Sequence, residues 1–274
     1  MRALLKITAF VVVFASAISL VEFVISFVFH KDVGLLIHHG IGQLTFYLLF
    51  VLLVYLFQTY VNKQSFLSLG LKPYPGWKGS FLKGWIAGVC AFVFYTVLTK
   101  FVGVINFQNR WGFERIITAF GVAFSAFGIA TTEEILFRGF FFQTLLKDLP
   151  KWPAIIITGI LFVLFHDLAN VSHFWTVPKH MMLAGGLFCL SMLLCFAYLK
   201  SGSLYLPIAL HSGLVFGKVF FRKMKIIEIL DPNSYVWAID GDARRGFMSW
   251  LLFLSGIFIL KYLISNPKKQ NNIS

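Results

Sequence analysis

The chain has 274 residues, of which 58% are hydrophobic and 13% are charged, and its mean hydropathy is +0.81. About a quarter of the residues of a soluble globular domain are charged, so this composition excludes an ordinary soluble protein and favours an all-α, polytopic membrane bundle. The net charge of +13 does not imply a nucleic-acid partner, because basic residues of a membrane protein collect in the connections and meet anionic lipid headgroups.

Eight apolar stretches are long enough, or nearly so, to cross a bilayer core of about 30 Å as helices. In chain order these are Ile7–Phe29, Gly42–Val61, Phe81–Val104, Ile116 to about Leu146, Pro153–Leu168, Met181–Leu199, Leu204–Phe221 and Phe247–Ile264. On the fourth span, Gly121, Ser125 and Gly128 are small residues that predict a close approach by a neighbouring helix. We interpret residues 1–274 as a single membrane domain.

The distribution of basic residues indicates an orientation in the cell membrane. The segments on the same side of the membrane as the N-terminus carry more Lys and Arg than those on the other side, once the basic last loop is set aside. That loop includes Arg244 and Arg245. The positive-inside rule then predicts a multi-pass protein with both termini in the cytoplasm.

Two adjacent glutamates lie deep in the fourth predicted span, within Thr131-Thr132-Glu133-Glu134-Ile135-Leu136-Phe137-Arg138. An ionised carboxylate in hydrocarbon costs several kcal/mol, so such groups face a bundle interior or a wet cavity and mark function. In a helix Glu134 and Arg138 share a face, whereas Glu133 is turned away by about 100°. We predict a structural Glu134–Arg138 pair and a functional Glu133. The alternative is that both carboxylates only anchor helix packing.

A histidine in the fifth predicted span is placed to meet Glu133. Phe162 and His166 are four residues apart and therefore share a helix face. The segment Lys147–Pro153 reads as a tight turn between antiparallel helices, and Glu133 and His166 are equally far from its centre. Each lies roughly 20 Å from the turn by helical rise, so both are predicted at one depth.

A second histidine, His211, lies in the seventh predicted span, after Ser203 as a candidate N-cap. It is only about 13 Å from the Gly202 turn by helical rise, so it reaches the depth of Glu133 only if that turn lies deeper in the membrane. Three further polar residues follow His166. We predict that His173 and His180 lie at the surface and that Asp167 does not orient His166.

A carboxylate and two imidazoles in one pocket could catalyse hydrolysis by either of two related mechanisms. Glu133, His166 and His211 could hold a divalent metal such as zinc, with one position open for water. Alternatively, Glu133 could act directly as general base on a water while the histidines stabilise the oxyanion. Both predict hydrolysis of an amide or ester within the bilayer. The chain has no GxSxG or HExxH motif, which disfavours a serine hydrolase or a soluble-type zincin.

These motifs resemble those of the CPBP family of intramembrane proteases, which includes type II CAAX prenyl endopeptidases and bacteriocin-processing or immunity proteins. The family pattern is EExxxR, then FxxxH, then a histidine in a later helix, and it is matched here over approximately residues 116–221, the motif-bearing catalytic core. The resemblance implies a membrane endopeptidase acting on a peptide or protein substrate, prenylated or otherwise membrane-anchored. It implies Glu133 as the activating carboxylate with His166 and His211 as partners, supported by Glu134, Arg138 and Phe162.

One position departs from the family pattern. Four residues after His211 stands Val215, where the family often has Asn or Asp. If that side chain helps to bind the oxyanion, the protein works without it or uses another donor such as Ser212. Val215 therefore keeps open a second function, a non-catalytic scaffold or immunity protein on the same fold. A proton-coupled transporter is a third, disfavoured because the chain has no inverted repeat with broken helices.

Overall fold

The computed structural model describes residues 2–28, 35–108, 112 and 114–263, and these residues are mostly helical. Eight long helices are found in them: α1 (Arg2–Val28), α2 (Leu35–Leu56), α3 (Trp77–Phe101), α4 (Glu114–Glu134), α5 (Lys151–Asp167), α6 (Pro178–Ser201), α7 (Tyr205–Lys223) and α8 (Phe247–Leu263). Each coincides in the chain with one of the predicted apolar stretches. The all-α membrane bundle is therefore confirmed.

Not all eight helices meet the requirements of a full membrane span. Within the described ranges, five segments are long and apolar enough to cross a membrane: Arg2–Val21, Trp77–Phe101, Arg115–Leu145, Lys151–His173 and Pro178–Ser201. Shorter apolar segments are Tyr47–Val61 and Phe247–Leu260. The predicted seventh span is not among them, because α7 carries Lys218, Arg222 and Lys223 near its end. The predicted number of about eight spans, of which the fifth and seventh were expected to be short, is thus higher than the five that the described residues provide.

Two helices continue through wider, π-helical turns. α2 runs into the π-helical segment Phe57–Val61, and α4 runs through Ile135–Phe142 into the short α-helical segment Gln143–Leu145. Every residue of Ile135–Phe142 is buried. The segment is packed on all sides, so it has no lipid-facing side and can include the charged Arg138. Such π-helical turns inside α-helices often occur at functional sites.

The connections add short elements outside the long helices. Strand β1 (Ile105–Phe107) pairs antiparallel with β2 (Ile227–Ile229), with Ile105 opposite Ile229. Short 3₁₀ turns cover Phe66–Leu69, Leu168–His173 and Ile239–Gly241. The strand pair ties the connection after α3 to the connection after α7, and the sequence did not predict it.

Phenylalanine rings form much of the core around the π-helical segment. Phe10 of α1 has its ring centroid 5.1 Å from that of Phe140 and 5.6 Å from that of Phe141. Phe137 meets Phe162 of α5 edge to face at 4.8 Å. Such aromatic pairs contribute about 0.5–1.5 kcal/mol each beyond the burial of their area. They fix α4 between α1 and α5.

Helices α3 and α7 approach each other closely at two glycines. A Cβ added to Gly88 would lie 2.3 Å from the carbonyl oxygen of Leu210, and one added to Gly213 would lie 2.3 Å from that of Trp85. This contact fixes the position of α7. By contrast, a Cβ at Gly121 or Gly128 meets nothing within 4 Å. The predicted close approach on the fourth span was therefore wrong, because those small residues face open space.

Candidate functional site

The predicted Glu134–Arg138 pair is present at the end of α4. An Nη of Arg138 donates to Glu134 Oε1 at 3.0 Å, and both side chains are 0% exposed. The other Nη donates to the backbone oxygen of Ser191 at 3.1 Å and to its Oγ at 3.0 Å, which connects the pair to α6. A buried arginine is tolerated only with such partners. Ser191 carried no signal in the sequence.

His211 of α7 completes this inner cluster. Its Nδ1 lies 2.8 Å from Glu134 Oε1. A carboxylate oxygen accepts and does not donate, so the proton is on Nδ1, and Nε2 keeps its lone pair in the neutral ring. Glu134 thus receives hydrogen bonds from both Arg138 and His211. We define Glu134, Arg138, Ser191 and His211 as the inner cluster.

His166 of α5 is held in the same tautomer by a different partner. Its Nδ1 donates to the backbone oxygen of Phe162 at 2.8 Å, so its Nε2 also keeps a lone pair. The imidazole lies against the Phe162 ring with a centroid distance of 4.2 Å. The guanidinium carbon of Arg138 lies 4.8 Å from the same ring. Phe162 therefore separates His166 from the inner cluster and supports both.

Glu133 faces the two imidazoles. Its Oε2 lies 3.4 Å from His166 Nε2 and 3.8 Å from His211 Nε2. Within the part of the chain that the structure describes, this buried oxygen has no hydrogen-bond partner. Three lone-pair atoms therefore converge on one point, and acceptors cannot bond one another without a donor between them. A buried polar atom left in this way calls for a water, a proton or an ion.

Glu133 and His166 reach each other as their positions about the turn predict. The structure also brings His211 to the same point, with a stronger contact to Glu134 than to Glu133. Sequence spacing did not indicate that contact. The catalytic roles of these residues stay predictions.

The zinc set left open by the sequence is Glu133, His166 and His211. Among the described residues, no group of three or more His, Cys, Asp or Glu side chains could hold a metal ion. Both histidines nevertheless have the outer hydrogen bonds that commonly orient metal-ligating imidazoles. The zinc site therefore stays a prediction.

A cavity of about 520 Å³ opens beside these three side chains. Its walls are mainly apolar and include Ile129, Phe162, Leu187, Leu190, Leu214, Val215 and Phe253. Val215 lines the cavity, but Ser212 does not, and the Ser212 hydroxyl donates to the Ala209 oxygen at 3.0 Å. Ser212 is therefore not placed as the substitute donor that the sequence suggested. We call this space the site cavity.

The other polar residues near His166 form a separate group. Asp167 Oδ2 lies 3.0 Å from His180 Nδ1, and its Oδ1 accepts from Asn170 at 2.6 Å. Asp167 thus orients His180 and not His166. His173 is exposed, as predicted, whereas His180 is only partly exposed because of this pairing.

Residues 115–217 match a family model described as Type II CAAX prenyl endopeptidase Rce1-like. No curated protein and no solved structure matches the chain significantly. The matched stretch contains Glu133, Glu134, Phe162, His166 and His211, and it ends within α7, before Lys218. The predicted resemblance is confirmed for this stretch. Residues 115–217 are thus similar to the Rce1-like type II CAAX prenyl endopeptidase family.

Proposed function

We propose that the protein is an intramembrane endopeptidase in which Glu133 activates a water molecule for attack on a peptide carbonyl. The observation that carries the proposal is the unpartnered Glu133 Oε2, which faces the Nε2 lone pairs of His166 and His211. A water placed there has two O–H groups to donate and an oxygen left for attack. The coarser function, a CAAX-type membrane protease, is the one that the matched family supports.

The proposed reaction needs one proton carrier and one oxyanion donor. Glu133 takes a proton as the water oxygen bonds to the carbonyl carbon, and the carbonyl electron pair moves onto its oxygen. In the reacting state one of the two imidazoles has taken up a proton from solvent on Nε2 and donates it in a hydrogen bond to that oxyanion, while the other keeps its lone pair and accepts from the water. The C–N bond then breaks, and the proton on Glu133 moves to the amine nitrogen.

The proposed substrate is a peptide segment presented from the membrane. The apolar walls of the site cavity suit aliphatic side chains, and they exclude bulk water from the acid and the imidazoles. The matched family points to prenylated proteins as one substrate class, and bacteriocin-related peptides are the other that the motifs suggested.

A non-catalytic scaffold or immunity protein is the second candidate. Val215 favours it, because the cavity has no Asn or Asp side chain at this position, and the Ser212 hydroxyl donates to the backbone. Such a protein needs the inner cluster for packing but makes no use of Glu133.

The deciding experiment compares wild type with Glu133→Gln in lipid nanodiscs on a quenched, membrane-anchored peptide. We expect cleavage to fall by roughly 10²–10⁴-fold, the usual effect of removing a general base. Glu228→Gln is the matched control, because Glu228 is exposed on β2 and does not line the cavity. Full activity of Glu133→Gln would favour the scaffold. Zinc bound one to one in the same purified protein would assign the metal alternative.

A further inference from the structure

Two basic residues near the end of α7 lie where two cavities meet. Lys218 and Arg222 are four residues apart and therefore share one side of the helix. Both line the site cavity, and both also line an adjoining space of about 450 Å³, which we call the second cavity. Its remaining walls come mainly from strand β2 and from the connection before α8. The second cavity thus lies outside the group of Glu133 and the two imidazoles, at the end of α7.

The walls of the second cavity have excess positive charge. Five of the side chains that line it are basic: Lys218, Arg222, Lys225, Arg244 and Arg245. Among the described residues, two carboxylates line the same space, those of Asp240 and Asp242. On β2, Ile227 and Ile229 line it, whereas Glu228 between them points to the opposite face of the strand. Five cations and two anions leave a net charge of +3 on these walls.

Both carboxylates of the second cavity are already paired. Asp242 Oδ2 lies 3.1 Å from Lys218 Nζ and 2.8 Å from an Nη of Arg244. Asp240 Oδ2 accepts from an Nη of Arg245 at 3.0 Å. Asp242 can neutralise only one of the two cations that it contacts. These pairs fix the directions of three basic side chains and still leave a positive charge among them.

Three side chains on these walls have donors left for a ligand. Arg222 and Lys225 are exposed and form no ion pair within the described ranges. The Nε of Arg245 is buried and has no hydrogen-bond partner in the part of the chain that the structure describes. A buried donor without an acceptor is costly and rare, so this one calls for a water or an anion.

An anion with several oxygens suits these donors best. A phosphate group has oxygens on several sides, so guanidinium and ammonium groups from different segments can bond to it together. The Arg222 guanidinium can bond two phosphate oxygens at once, and the Lys225 ammonium has three donors. A volume of about 450 Å³ is also within the usual range of small-molecule sites. The second cavity therefore has the charge, the donors and the size for a phosphate group with its substituent.

The surroundings of the second cavity indicate that this phosphate belongs to a membrane lipid. The candidate membrane span Trp77–Phe101 ends four residues before β1, and β1 pairs with β2 at the cavity wall. The cavity is therefore near the level where a span leaves the bilayer and lipid phosphates are found. Ile229 and Leu230 are exposed large apolar residues at the same place. A free phosphate ion makes no use of such side chains, whereas the acyl chains of a lipid would cover them.

We propose that the second cavity binds the phosphate of an anionic membrane lipid, with Arg222 and Lys225 as its direct ligands and with Lys218 and Arg244 positioned beside it by Asp242. The bound headgroup joins the connection before α8 to the end of α7, and this connection also forms part of the wall of the site cavity. All five residues lie outside the stretch that matches the family model. The inference does not depend on the proposed hydrolysis, because a non-catalytic protein on the same fold would bind the same lipid.

The test measures which lipids bind to the full-length, detergent-solubilised protein. Native mass spectrometry gives the affinities for phosphatidylglycerol and phosphatidylcholine with the same acyl chains. We expect phosphatidylglycerol to bind about tenfold more tightly, because the choline of phosphatidylcholine cancels the phosphate charge. Arg222→Gln/Lys225→Gln should reduce this preference to about twofold or less. Both side chains are exposed, so the melting temperature of this variant without added lipid should equal that of wild type.

The matched control removes two positive charges at the same end of the bundle but outside both cavities. Lys100 is in the last turn of α3 and Lys179 is in the first turn of α6, and both are exposed. Neither lines the site cavity or the second cavity. Lys100→Gln/Lys179→Gln should therefore keep the tenfold preference. An equal loss in both double variants would mean that the general positive field attracts the lipid, and it would overturn the site. Equal binding of the two lipids by wild type would overturn it as well.

Inorganic phosphate is the soluble alternative for the same donors, and competition distinguishes it from the lipid. Binding of phosphatidylglycerol to wild type is repeated with millimolar inorganic phosphate, and the affinity should change by less than about twofold, because the acyl chains add contacts that the ion lacks. Inorganic phosphate that binds as tightly as the lipid and displaces it would show a site for the free ion and overturn the lipid proposal.

Peptide cleavage keeps this inference separate from the proposed function. If wild type cleaves the membrane-anchored peptide but has no preference between the two lipids, only this inference fails. If wild type prefers phosphatidylglycerol but cleaves nothing, the lipid site stands and the proposed hydrolysis fails.

Discussion

Glu133 and Glu134 are neighbours in the chain, yet their surroundings differ almost completely. Glu134 is 0% exposed, and its Oε1 accepts from Arg138 and His211, so α4 and α7 meet at one carboxylate, which Arg138 connects to α6 through Ser191. Each of the two acids has one oxygen, Oε2, with no hydrogen-bond partner in the described structure, but the Glu133 side chain is 19% exposed and its Oε2 faces the Nε2 atoms of His166 and His211. Glu134 is therefore held in the inner cluster, whereas Glu133 lines the site cavity.

The difference shows how a membrane bundle can keep a reactive acid in place without neutralising it. Consecutive residues of a helix point about 100° apart, so one position can face the protein interior while the next faces a cavity. The inner cluster joins α4 to α7 through the His211–Glu134 hydrogen bond. It thereby also fixes the positions of Glu133, the neighbour of Glu134, and of the Nε2 atom of His211. Variants on the two sides of this division should therefore have different effects.

Substitutions in the inner cluster should mainly lower the free energy of unfolding. Arg138→Met leaves Glu134 buried without its cation and should lower the free energy of unfolding by about 3–5 kcal/mol. Thermal denaturation of the detergent-solubilised protein measures the loss. The double variant Glu134→Gln/Arg138→Met should recover part of it, because it removes both charges together. A double variant less stable than Arg138→Met alone would contradict a structural ion pair.

Substitution of His166, which faces Glu133 outside the inner cluster, should reduce activity without unfolding the protein. His166→Gln removes the imidazole facing Glu133 and should reduce kcat/KM by roughly 10²–10³-fold, within the usual range for acid–base groups. Its melting temperature should stay close to that of wild type, since the His166 side chain is 22% exposed and its own hydrogen bond is local. His173→Gln is the matched control at an exposed position. A large loss of stability in His166→Gln would place this residue with the inner cluster instead.

The comparison extends to the glycine contact that positions His211. Gly88→Ala inserts a methyl group against the Leu210 backbone and should destabilise the protein by about 1–3 kcal/mol, as overpacking does. Gly121→Ala, in open space, should stay within about 0.5 kcal/mol of wild type. Thermal denaturation distinguishes the two. Equal effects would mean that α3 does not fix α7.

The smallest expected effect is a loss of stability at low pH, which depends on the pairing of Asp242 with Lys218 and Arg244. Burial raises the pKa of Asp242, but the Arg244 and Lys218 charges beside it outweigh this and hold the pKa below its usual range. Such a carboxyl stabilises the fold fully above its unfolded pKa of about 3.9, and the contribution is lost as pH falls through the lowered folded value. The melting temperature should therefore drop more steeply below about pH 4 in wild type than in Asp242→Asn. Parallel pH profiles would contradict the pairing.

The meeting of Glu133 and His166 could be predicted from the sequence because helical rise is constant and the turn between their helices is short. The contact of His211 with Glu134 could not, since the rotation of α7 about its own axis is set by the Gly88 contact with another helix. The role of Ser191 was also hidden, because a serine in an apolar helix gives no signal until its neighbour is known.

Other features failed to appear in the sequence for similar reasons. The π-helical turns after Glu134 depend on burial from all sides, which no local pattern encodes. The basic residues after Lys218 are visible in the sequence as a charge excess in the last loop. By itself this excess indicates only a departure from the positive-inside rule. Their position at the cavity follows from the folding of that connection over α7, held by Asp242.

The widened coil at Ile135–Phe142 has a consequence for how insertions and deletions are tolerated. A π-helical turn accommodates a residue more than an α-helical turn does, so removing one residue from this segment would let it tighten into regular α-helix. That tightening would absorb the missing residue, so the helix before the segment would keep nearly the same rotation relative to the helix after it. An insertion or deletion in the regular α-helix of α5 or α7, between a turn and its histidine, has no such reserve and would turn the imidazole by about 100° away from Glu133.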